Sequence, residues 1–407
     1  MTNSSLTLGA FCTNFKEPEF EKRLGLHPDD LSNIPSDARK QVFLESGYGK
    51  PWHLSDDALK QTGIGGVMPR HQLLQQADVL LIPKITQQDM NDAPANKIFW
   101  GWPHFVQNAD ITQTAIDKGL SSITFEGSFD WNGVEKGQHS YYANNEMAGY
   151  CGAMHALQLR GITGQYGGWA EKTVVVISHG SVSQGAIKCL QGQGFNNITV
   201  FTNRPPEAVD QKFPGVRYAQ FNVQDDGTIV TNTAKDSGNN QAVVPFVETL
   251  KDAAIVVNGT LQDPDHPKMF VRDEDVPKLP KGQLVIDISC DNAMGFPFAV
   301  PTSFAEPMIE TNGGVYYYAV DHTPTLCWDS ATREISSVNT PLIPEVLQGK
   351  NQWLANPTLR NAFEMDNGRV RNPAILSFQN RDAAHPHPIK SRVASNDSEA
   401  NRDMRVA

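Results

Sequence analysis

Residues 174–185 read Val-Val-Val-Ile-Ser-His-Gly-Ser-Val-Ser-Gln-Gly, four β-branched residues that pass directly into a turn of small residues. An amphipathic segment with Ile187 and Leu190 follows, which predicts a helix. In such a strand–turn–helix unit the backbone N–H groups at the start of the helix can hold a pyrophosphate, because small residues let the backbone approach it closely. The stretch therefore predicts the nucleotide-binding βα unit of a Rossmann-type fold.

The turn departs in one place from the pattern G-x-G-x-x-G. Gly180 and Ser183 fill the second and third glycine positions, whereas Ser178 stands where the first glycine is usual. A tight βα turn without a ligand fits the turn alone equally well. Under the nucleotide interpretation, the predicted cofactor-binding residues of the turn are Ser178, Gly180, Ser181, Val182 and Ser183.

The next predicted strand supports the nucleotide interpretation and indicates which cofactor is bound. It covers residues 198–201 and is followed by Thr202, Asn203 and Arg204, near the spacing from Gly180 at which a ribose-binding residue is expected. An acidic residue, which is usual for NAD, would repel a 2′-phosphate, whereas a hydroxyl and a guanidinium can bind it. We therefore predict NADP(H), held by these three residues. The alternative is that Arg204 is an ordinary surface arginine.

Outside this unit, short β-branched runs alternate with helix-like segments over most of the chain. The alternation is typical of βαβ units, so the predicted class is α/β, with two Rossmann-like domains, parallel sheets and a cleft between them. We predict a discontinuous substrate domain of residues 1–140 plus 327–380, and an NADP(H)-binding domain of residues 141–326. Residues 381–407 predict a disordered tail, because they hold few large apolar side chains to offset the entropy of ordering.

Composition and charge narrow the functional classes. A chain of 407 residues with 39% hydrophobic residues is long enough for about two globular domains. Its net charge of −11 argues against a nucleic-acid partner, and the absence of long apolar runs predicts a soluble, cytoplasmic protein. The five scattered cysteines contain no C-x-x-C pair, which predicts reduced thiols. No metal site is predicted, since His385 and His387 lack a third ligand.

Ionisable residues follow several predicted strands, at the edge where α/β sheets bind their ligands. They are Arg23, Lys84, His104 and Asp291. Each of them alone fits a structural role, such as a surface charge, a partly buried histidine or a helix cap. Taken singly, each of them is better explained by that structural role, whereas in this order they form a pattern that resembles a known family.

Several segments resemble the alanine dehydrogenase and transhydrogenase α-subunit family. They are residues 16–17 with 23–28, 77–84, 102–104, 145–149 and 285–291. The resemblance extends to the branch of that family that contains carboxyethylornithine synthase, through residues 101–104, 180–185, 290–296, 318–324 and 375–381. It covers about residues 6–381, although the link between residues 204 and 253 looks longer than is usual in the family.

This resemblance implies roles for the ionisable residues. Arg23 and Lys84 would hold the carboxylate and oxygen of a 2-oxo acid, His104 would act as acid and base, and Asp291 would lie beside the nicotinamide. Hydride addition to C=O or C=N develops charge on the heteroatom, so a histidine with a pKa near neutrality is a suitable proton donor, and a lysine stabilises the charge. Asp291 could orient His104 or bind a substrate amine. Further cofactor-binding residues are predicted at the ends of two strands, Asn258 and Asp321.

The implied reaction is an NADPH-dependent condensation of an amino-acid amine, such as that of ornithine or lysine, with a 2-oxo acid such as pyruvate. The product would be an N-(1-carboxyethyl) amino acid, and the partners would be small molecules and further copies of the chain in a homo-oligomer. Two alternatives remain. One is an alanine-dehydrogenase-like enzyme that uses ammonia, and the other is a catalytically silent NADP(H)-binding regulator, which would need neither Lys84 nor His104.

Overall fold

Two large sheets organise the chain, of which the computed structural model describes residues 5–165, 171–232, 242–263 and 265–390. Within these residues the first sheet has eight strands and the second has nine, and most neighbouring strands run parallel. We call the part built on the eight-stranded sheet the first lobe and the part built on the nine-stranded sheet the second lobe. The predicted α/β class with two parallel-sheet domains is confirmed.

Strands and helices alternate along most of the chain. The strands, in chain order, are β1 (Leu8–Ala10), β2 (Val42–Glu45), β3 (Gly66–Met68), β4 (Val79–Lys84), β5 (Ile98–Trp102), β6 (Ser121–Thr124), β7 (Phe129–Asn132), β8 (Glu135–His139), β9 (Val174–Ile177), β10 (Ile198–Thr202), β11 (Arg217–Val223), β12 (Ile229–Asn232), β13 (Val243–Pro245), β14 (Ile255–Asn258), β15 (Leu284–Asp287), β16 (Met308–Glu310), β17 (Tyr316–Tyr318), β18 (Phe363–Asp366) and β19 (Arg369–Val370). The α-helices are α1 (Ser36–Arg39), α2 (Asp56–Lys60), α3 (Arg70–Gln76), α4 (Gln87–Asp92), α5 (Ala109–Asp117), α6 (Tyr142–Arg160), α7 (Ser181–Gly192), α8 (Val247–Leu250), α9 (Trp328–Leu347), α10 (Lys350–Ala355), α11 (Pro357–Ala362) and α12 (Pro373–Phe378).

The first sheet has the strand order β19-β18-β6-β5-β4-β1-β2-β3. Strands β1 to β6 pair in parallel, and β18 and β19, from the end of the chain, complete the sheet as antiparallel strands. Lys84 at the end of β4 lies opposite Trp102 at the end of β5. The residues that follow these two strands are therefore at the same edge of the sheet.

The second sheet has the strand order β13-β12-β11-β10-β9-β14-β15-β17-β16. The chain moves outward from β9 to β10 and β11, and then returns to the other side of β9 with β14. The carboxyl ends of β9 and β14 thus form the crevice in which doubly wound sheets bind ligands. The antiparallel strands β12 and β13 extend the sheet beyond β11 and account for part of the long link between residues 204 and 253.

The apolar run of β9 is covered on both faces, as its sequence predicts. Val174 and Val176 belong to one hydrophobic cluster, and Val175 and Ile177 belong to another on the opposite face. All four side chains are buried. A strand without alternation of polar and apolar residues is typical of a central parallel strand, which explains why this stretch of sequence defines the fold.

Helix α6 leads from the first lobe into the second and packs closely against α7. A Cβ atom at Gly149 of α6 would collide with the carbonyl group of Val182, and one at Gly185 of α7 would collide with the carbonyl group of Glu146. The two backbones therefore touch where both residues are glycine. This contact fixes the start of α7, and with it the predicted nucleotide turn, relative to the helix that joins the lobes.

The sequence prediction of a disordered tail is wrong for residues 381–390. The Arg381 side chain is 2% exposed, and its guanidinium donates hydrogen bonds to Gln379 Oε1 (2.6 Å), to Gln113 Oε1 (2.7 Å) and to the carbonyl group of His387 (3.2 Å). His387 is also buried and accepts a hydrogen bond from the Val370 backbone N–H at 3.1 Å. Polar side chains that find such partners can offset the entropy of ordering without large apolar residues. Residues 391–407 lie outside the described residues.

No helix in the described part of the chain is long and apolar enough to cross a membrane. The same residues contain no group of three or more His, Cys, Asp or Glu side chains placed to hold a metal ion. All five cysteines are unpaired.

Candidate active site

Lys84 lies at the centre of a cluster of ionisable groups between the two lobes. Its Nζ atom is 2.9 Å from His104 Nε2 and 3.2 Å from Asp321 Oδ2. The side chain is 9% exposed. Lys84 ends β4, Pro83 precedes it, and the register with β5 shifts between Leu81 and Lys84, so the strand is irregular where it delivers this side chain.

His104 follows β5 by two residues and faces Lys84. The backbone N–H of His104 donates to Glu126 Oε1 at 2.9 Å, and its Nδ1 atom lies 3.1 Å from the same oxygen. The backbone φ angle is +50°, which is uncommon for a residue with a side chain. The side chain keeps 42% of its surface exposed at the boundary between the lobes. These contacts fix the ring while leaving it accessible to a substrate.

The structure corrects the expected proton affinity of His104. Burial, and then the positive charge of Lys84, lower the pKa of His104 to about 3, rather than leaving it near neutrality. A neutral ring that accepts a hydrogen bond from Lys84 at Nε2 carries its proton on Nδ1, where it can be donated to Glu126. Near neutral pH, His104 is therefore a base, and Lys84 is the group of this pair that has a proton to give.

Glu126 is a site residue that the sequence analysis missed. Burial, and then the nearby Glu364, raise its pKa to about 8, and its Oε2 atom makes no hydrogen bond. Burial also raises the pKa of Glu364, on β18, to about 7. A signal was present in the sequence, since Glu126 directly follows the short run Ser-Ser-Ile-Thr-Phe of residues 121–125, most of which forms β6, the strand beside β5 that leads to His104.

Asp321 comes from the second lobe and pairs with the lysines of the first. Its Oδ2 atom lies 3.2 Å from Lys84 Nζ and 3.6 Å from Lys16 Nζ, and its Oδ1 atom lies 2.6 Å from Nδ1 of His322. Burial would raise the pKa of Asp321, but Lys84, His322 and Lys16 together hold it well below its ordinary value. The sequence predicts a cofactor-binding role for Asp321 and gives no sign of its contact with Lys84.

Arg23 has its charge paired within the first lobe. Its Nε and Nη2 atoms donate to the two carboxylate oxygens of Glu21, at 2.9 and 2.6 Å, and its Nη1 atom donates to Asn144 Oδ1 at 3.2 Å. The guanidinium also lies over the ring of Trp102, 5.6 Å from the ring centre. Arg23 is 4% exposed, so a substrate carboxylate would have to share it with Glu21.

Asp291 follows β15 and stands apart from His104. In the described part of the chain its carboxylate forms no hydrogen bond or ion pair, and burial raises its pKa to about 6. The sequence allows two roles for Asp291, the orientation of His104 or the binding of a substrate amine. The ring of His104 contacts Lys84 and Glu126 instead.

The predicted nucleotide turn has the expected strand–turn–helix form. Ser178, in place of the first glycine, adopts φ +83°, and its Oγ atom accepts a hydrogen bond from the Gly180 N–H at 3.2 Å. Ser183 is buried and donates to the Ile177 carbonyl group at 3.3 Å. Ser181 and Val182 begin α7, and no side chain caps this end of the helix. Its first N–H groups are therefore available to a phosphate, and the turn fits a nicotinamide dinucleotide.

The other predicted cofactor-binding residues differ in whether their polar atoms already have partners within the protein. Thr202 is buried, and its Oγ1 atom accepts a hydrogen bond from the Arg204 backbone N–H at 2.8 Å. Asn203 and Arg204 are exposed, and the Arg204 side chain forms no ion pair within the described residues. Asn258 is fully buried, and its side-chain amide is bonded to Asp287 (3.1 Å) and to the Thr260 N–H (3.2 Å). Its polar atoms are thus already satisfied inside the lobe.

Comparisons with known proteins agree with this architecture. Residues 150–373 match the family model "Alanine dehydrogenase/PNT, C-terminal domain". The N(5)-(carboxyethyl)ornithine synthase of Lactococcus lactis subsp. lactis is 22% identical over 330 residues, which is 78% of this chain and 89% of that protein. Alanine dehydrogenase 1 of Staphylococcus aureus (strain MSSA476) is 22% identical over 373 residues, which is 89% of this chain and 94% of that protein.

Two solved structures have the same fold. An L-alanine dehydrogenase superposes with a TM-score of 0.70 at 16% identity, over 92% of this chain and 99% of that one. A transhydrogenase from Sinorhizobium meliloti superposes with a TM-score of 0.65 at 14% identity, over 89% of this chain and 99% of that one.

We expect Glu126→Gln to make the stability of the protein depend less on pH between about pH 5 and pH 8. In the folded protein Glu126 keeps its proton up to a pKa of about 8, whereas its ordinary value is 4.5. Below the ordinary pKa, Glu126 is protonated in both the folded and the unfolded chain, and its full contribution to stability is present. As pH rises from the ordinary pKa toward the pKa in the folded protein, this contribution is lost, because the unfolded chain releases the proton and the folded chain does not. A neutral amide removes this loss.

Urea unfolding at several pH values measures the effect as the slope of unfolding free energy against pH. The exposed Glu19→Gln is the matched control and should keep the wild-type slope. A wild-type slope in Glu126→Gln would show that Glu126 is ionised in the folded protein.

Proposed function

The chain belongs to the alanine dehydrogenase/PNT C-terminal domain family and is an alanine-dehydrogenase-like oxidoreductase, and from this premise we propose that it condenses an amino-acid amine with a 2-oxo acid, using NADPH. The observation that carries the proposal is the contact of Lys84 with both His104 and Asp321. It supplies a proton donor, a base and a counter-ion at one place. The amine is that of ornithine, lysine or a similar amino acid, the 2-oxo acid is pyruvate or a close analogue, and the product is an N-(1-carboxyethyl) amino acid.

The distribution of charge at the lobe boundary favours two amino-acid-like substrates. The first lobe presents Lys16 and Lys84, with Arg23 behind them paired to Glu21, and the second presents Asp321 and Asp291. Cations of the first lobe suit the carboxylates of a 2-oxo acid and of an amino acid, and a free carboxylate suits a cationic amine. Ammonia has no carboxylate and would leave part of this charge unused. The same arrangement therefore favours a reaction like that of carboxyethylornithine synthase, to which the chain is similar, over a reaction that uses ammonia.

The protonation states of Lys84 and His104 suit the condensation. The amine nitrogen bonds to the carbonyl carbon, the carbonyl oxygen leaves as water, and a hydride then adds to the same carbon. Lys84 is placed to give its proton to the departing oxygen, and His104 to take a proton from the amine nitrogen. The positive charge of Lys84 is one cause of the low pKa of His104, so loss of the Lys84 proton makes His104 a stronger base when a base is needed.

The cofactor supplies the hydride when it is bound, and the chain's own residues determine where it binds. The uncapped start of α7 is suited to the pyrophosphate, together with the turn residues Ser178, Gly180 and Ser183. The exposed Arg204 has no ion-pair partner within the described residues, which suits a 2′-phosphate. A regulator that only binds NADP(H) would use this turn but would have no need of the Lys84–His104 pair.

The experiment that tests the reaction follows NADPH oxidation with pyruvate and a panel of amines at equal concentration. We expect ornithine or lysine to support faster oxidation than ammonia, with a secondary-amine product of the mass of the condensed substrates. Ammonia as the best amine, with alanine as the product, would support the alanine-dehydrogenase alternative. If no amine supports oxidation although NADPH binds, the silent regulator is the better interpretation.

We expect His104→Ala to lower turnover by about a hundredfold or more, because general acid–base catalysis typically contributes that much. The affinity for NADPH should stay within about twofold, because the ring lies beside Lys84 and not at the nucleotide turn. Steady-state kinetics and NADPH fluorescence titration measure the two quantities. His71→Ala, at an exposed histidine of the same lobe, should keep wild-type turnover. Full activity of His104→Ala would remove His104 from the mechanism.

We expect Thr202→Asp combined with Arg204→Ala to change the preference for NADPH over NADH by about tenfold or more, since each charge-assisted hydrogen bond contributes about 1.5–3 kcal/mol. The new carboxylate repels the 2′-phosphate, and the guanidinium that binds it is removed. The ratio of kcat/KM for the two cofactors measures the change. Arg369→Ala, at an exposed arginine of the first lobe, is the control. An unchanged ratio would show that the phosphate is bound elsewhere.

A further inference from the structure

His322 lies between two carboxylates that belong to different lobes. Its Nδ1 atom is 2.6 Å from Oδ1 of Asp321, its neighbour in the second lobe, and its Nε2 atom is 3.1 Å from Oε2 of Glu17 in the first lobe. The second contact has the distance of an ion pair but not the angle of a hydrogen bond. The ring is fully buried and packs edge-on against Phe304, with ring centres 4.9 Å apart.

His322 has a carboxylate oxygen facing each of its two ring nitrogens. A carboxylate only accepts hydrogen bonds, and an imidazole presents an N–H at both nitrogens only when it is protonated. Asp321 is held ionised by its neighbours, so a neutral ring would turn a lone pair toward Asp321 or toward Glu17.

Glu17 is itself held in an unusual conformation by contacts with the second lobe. Its backbone φ angle is +48°, which costs free energy in a residue with a side chain. Its Oε1 atom accepts a hydrogen bond from the Phe304 backbone N–H at 3.0 Å, and its Oε2 atom faces His322. Both contacts of this carboxylate are therefore contacts between the lobes.

These groups form a continuous series that crosses between the lobes twice. Glu17 of the first lobe contacts His322 of the second, His322 contacts Asp321, and Asp321 contacts Lys84 of the first lobe. We call these four residues the interlobe clasp. One oxygen of Asp321 is taken by His322, and only the other faces the lysines. His322, which holds the other carboxylate oxygen, thus fixes the orientation in which Asp321 neutralises Lys84.

We propose that His322 is a positioning residue for the reaction: it orients Asp321 toward Lys84 and, through Glu17, makes that orientation depend on contact between the lobes. The kinetic part of this inference rests on the proposed function. Separation of the lobes would break the contact of Glu17 with His322 and the contact of Lys84 with Asp321 at the same time. The charges around Lys84 and His104 are therefore correct for catalysis only while the lobes are in contact.

The kinetic test is a double-mutant cycle between His322→Gln and Asp321→Asn. We expect His322→Gln to lower kcat/KM for the 2-oxo acid by about tenfold, with KM for NADPH within about twofold of wild type. The double variant should be no slower than Asp321→Asn alone, because His322 acts through Asp321. A purely structural role would instead lower the melting temperature and multiply the two losses, and that result would overturn the proposal.

Two further variants distinguish the proposed effect from an effect of misfolding. Glu17→Gln removes the charge at the far end of the clasp while keeping an oxygen for the Phe304 N–H, and it should reproduce the direction of the His322→Gln effect. His155→Gln is the matched control, because His155 also packs against Phe304, at 5.5 Å, but bonds to the Tyr318 hydroxyl group at 3.0 Å rather than to a carboxylate. It should keep wild-type kcat/KM.

Hydrogen exchange tests the clasp without any turnover. In the full chain without substrates, we expect His322→Gln to increase exchange of the Phe304 amide several-fold, because Glu17 is no longer held in place to accept its hydrogen bond. His155→Gln should leave this exchange unchanged. If no amine supports NADPH oxidation by the wild type but exchange rises as expected, the proposed function fails and the clasp stands. Exchange at the wild-type rate in both His322→Gln and Glu17→Gln would overturn the clasp.

Discussion

A buried ammonium group needs a counter-ion, and the counter-ion of Lys84 comes from the opposite lobe. Lys84 is almost fully buried, and an unpaired charge in such a position is costly. Asp321 supplies the opposite charge at 3.2 Å. The site is therefore complete only when the lobes are packed together, because the Lys84–Asp321 ion pair joins residues at the carboxyl ends of the two sheets.

Burial and the charge of Lys84 together determine the protonation of its neighbours. Burial, and then Lys84, lowers the pKa of His104, and Lys84 helps to lower that of Asp321 against the effect of burial, so that one group is a neutral base and the other an ionised carboxylate. On the far side of His104, Glu126 is protonated more readily than usual, because it is partly buried and lies near Glu364. The pKa values of His104 and Glu126 are thus shifted in opposite directions, the first downward and the second upward.

The predicted nucleotide-binding turn depends on backbone groups rather than on charged side chains. The glycine contact between α6 and α7 fixes the start of α7, and the absence of a capping side chain leaves its N–H groups free. Ser178 adopts a positive φ angle in the first glycine position, and its own hydroxyl group supports the turn by accepting a hydrogen bond from Gly180. The similarity of fold to L-alanine dehydrogenase at 16% identity is consistent with a scaffold that depends on such backbone contacts.

Local sequence pattern was enough to predict the class of the fold and the edge of the sheets at which the candidate site lies. The continuous apolar run of residues 174–177 requires a strand that is covered on both faces, and Lys84 and His104 stand directly after two neighbouring parallel strands, so their shared edge follows from local pattern alone. Only the tertiary structure decided the low pKa of His104 and the contact of Asp321 with Lys84. It also decided the ordering of Arg381. Periodicity is a property of neighbours along the chain, whereas ion pairs, hydrogen bonds and desolvation depend on distances in space between residues that are far apart in sequence.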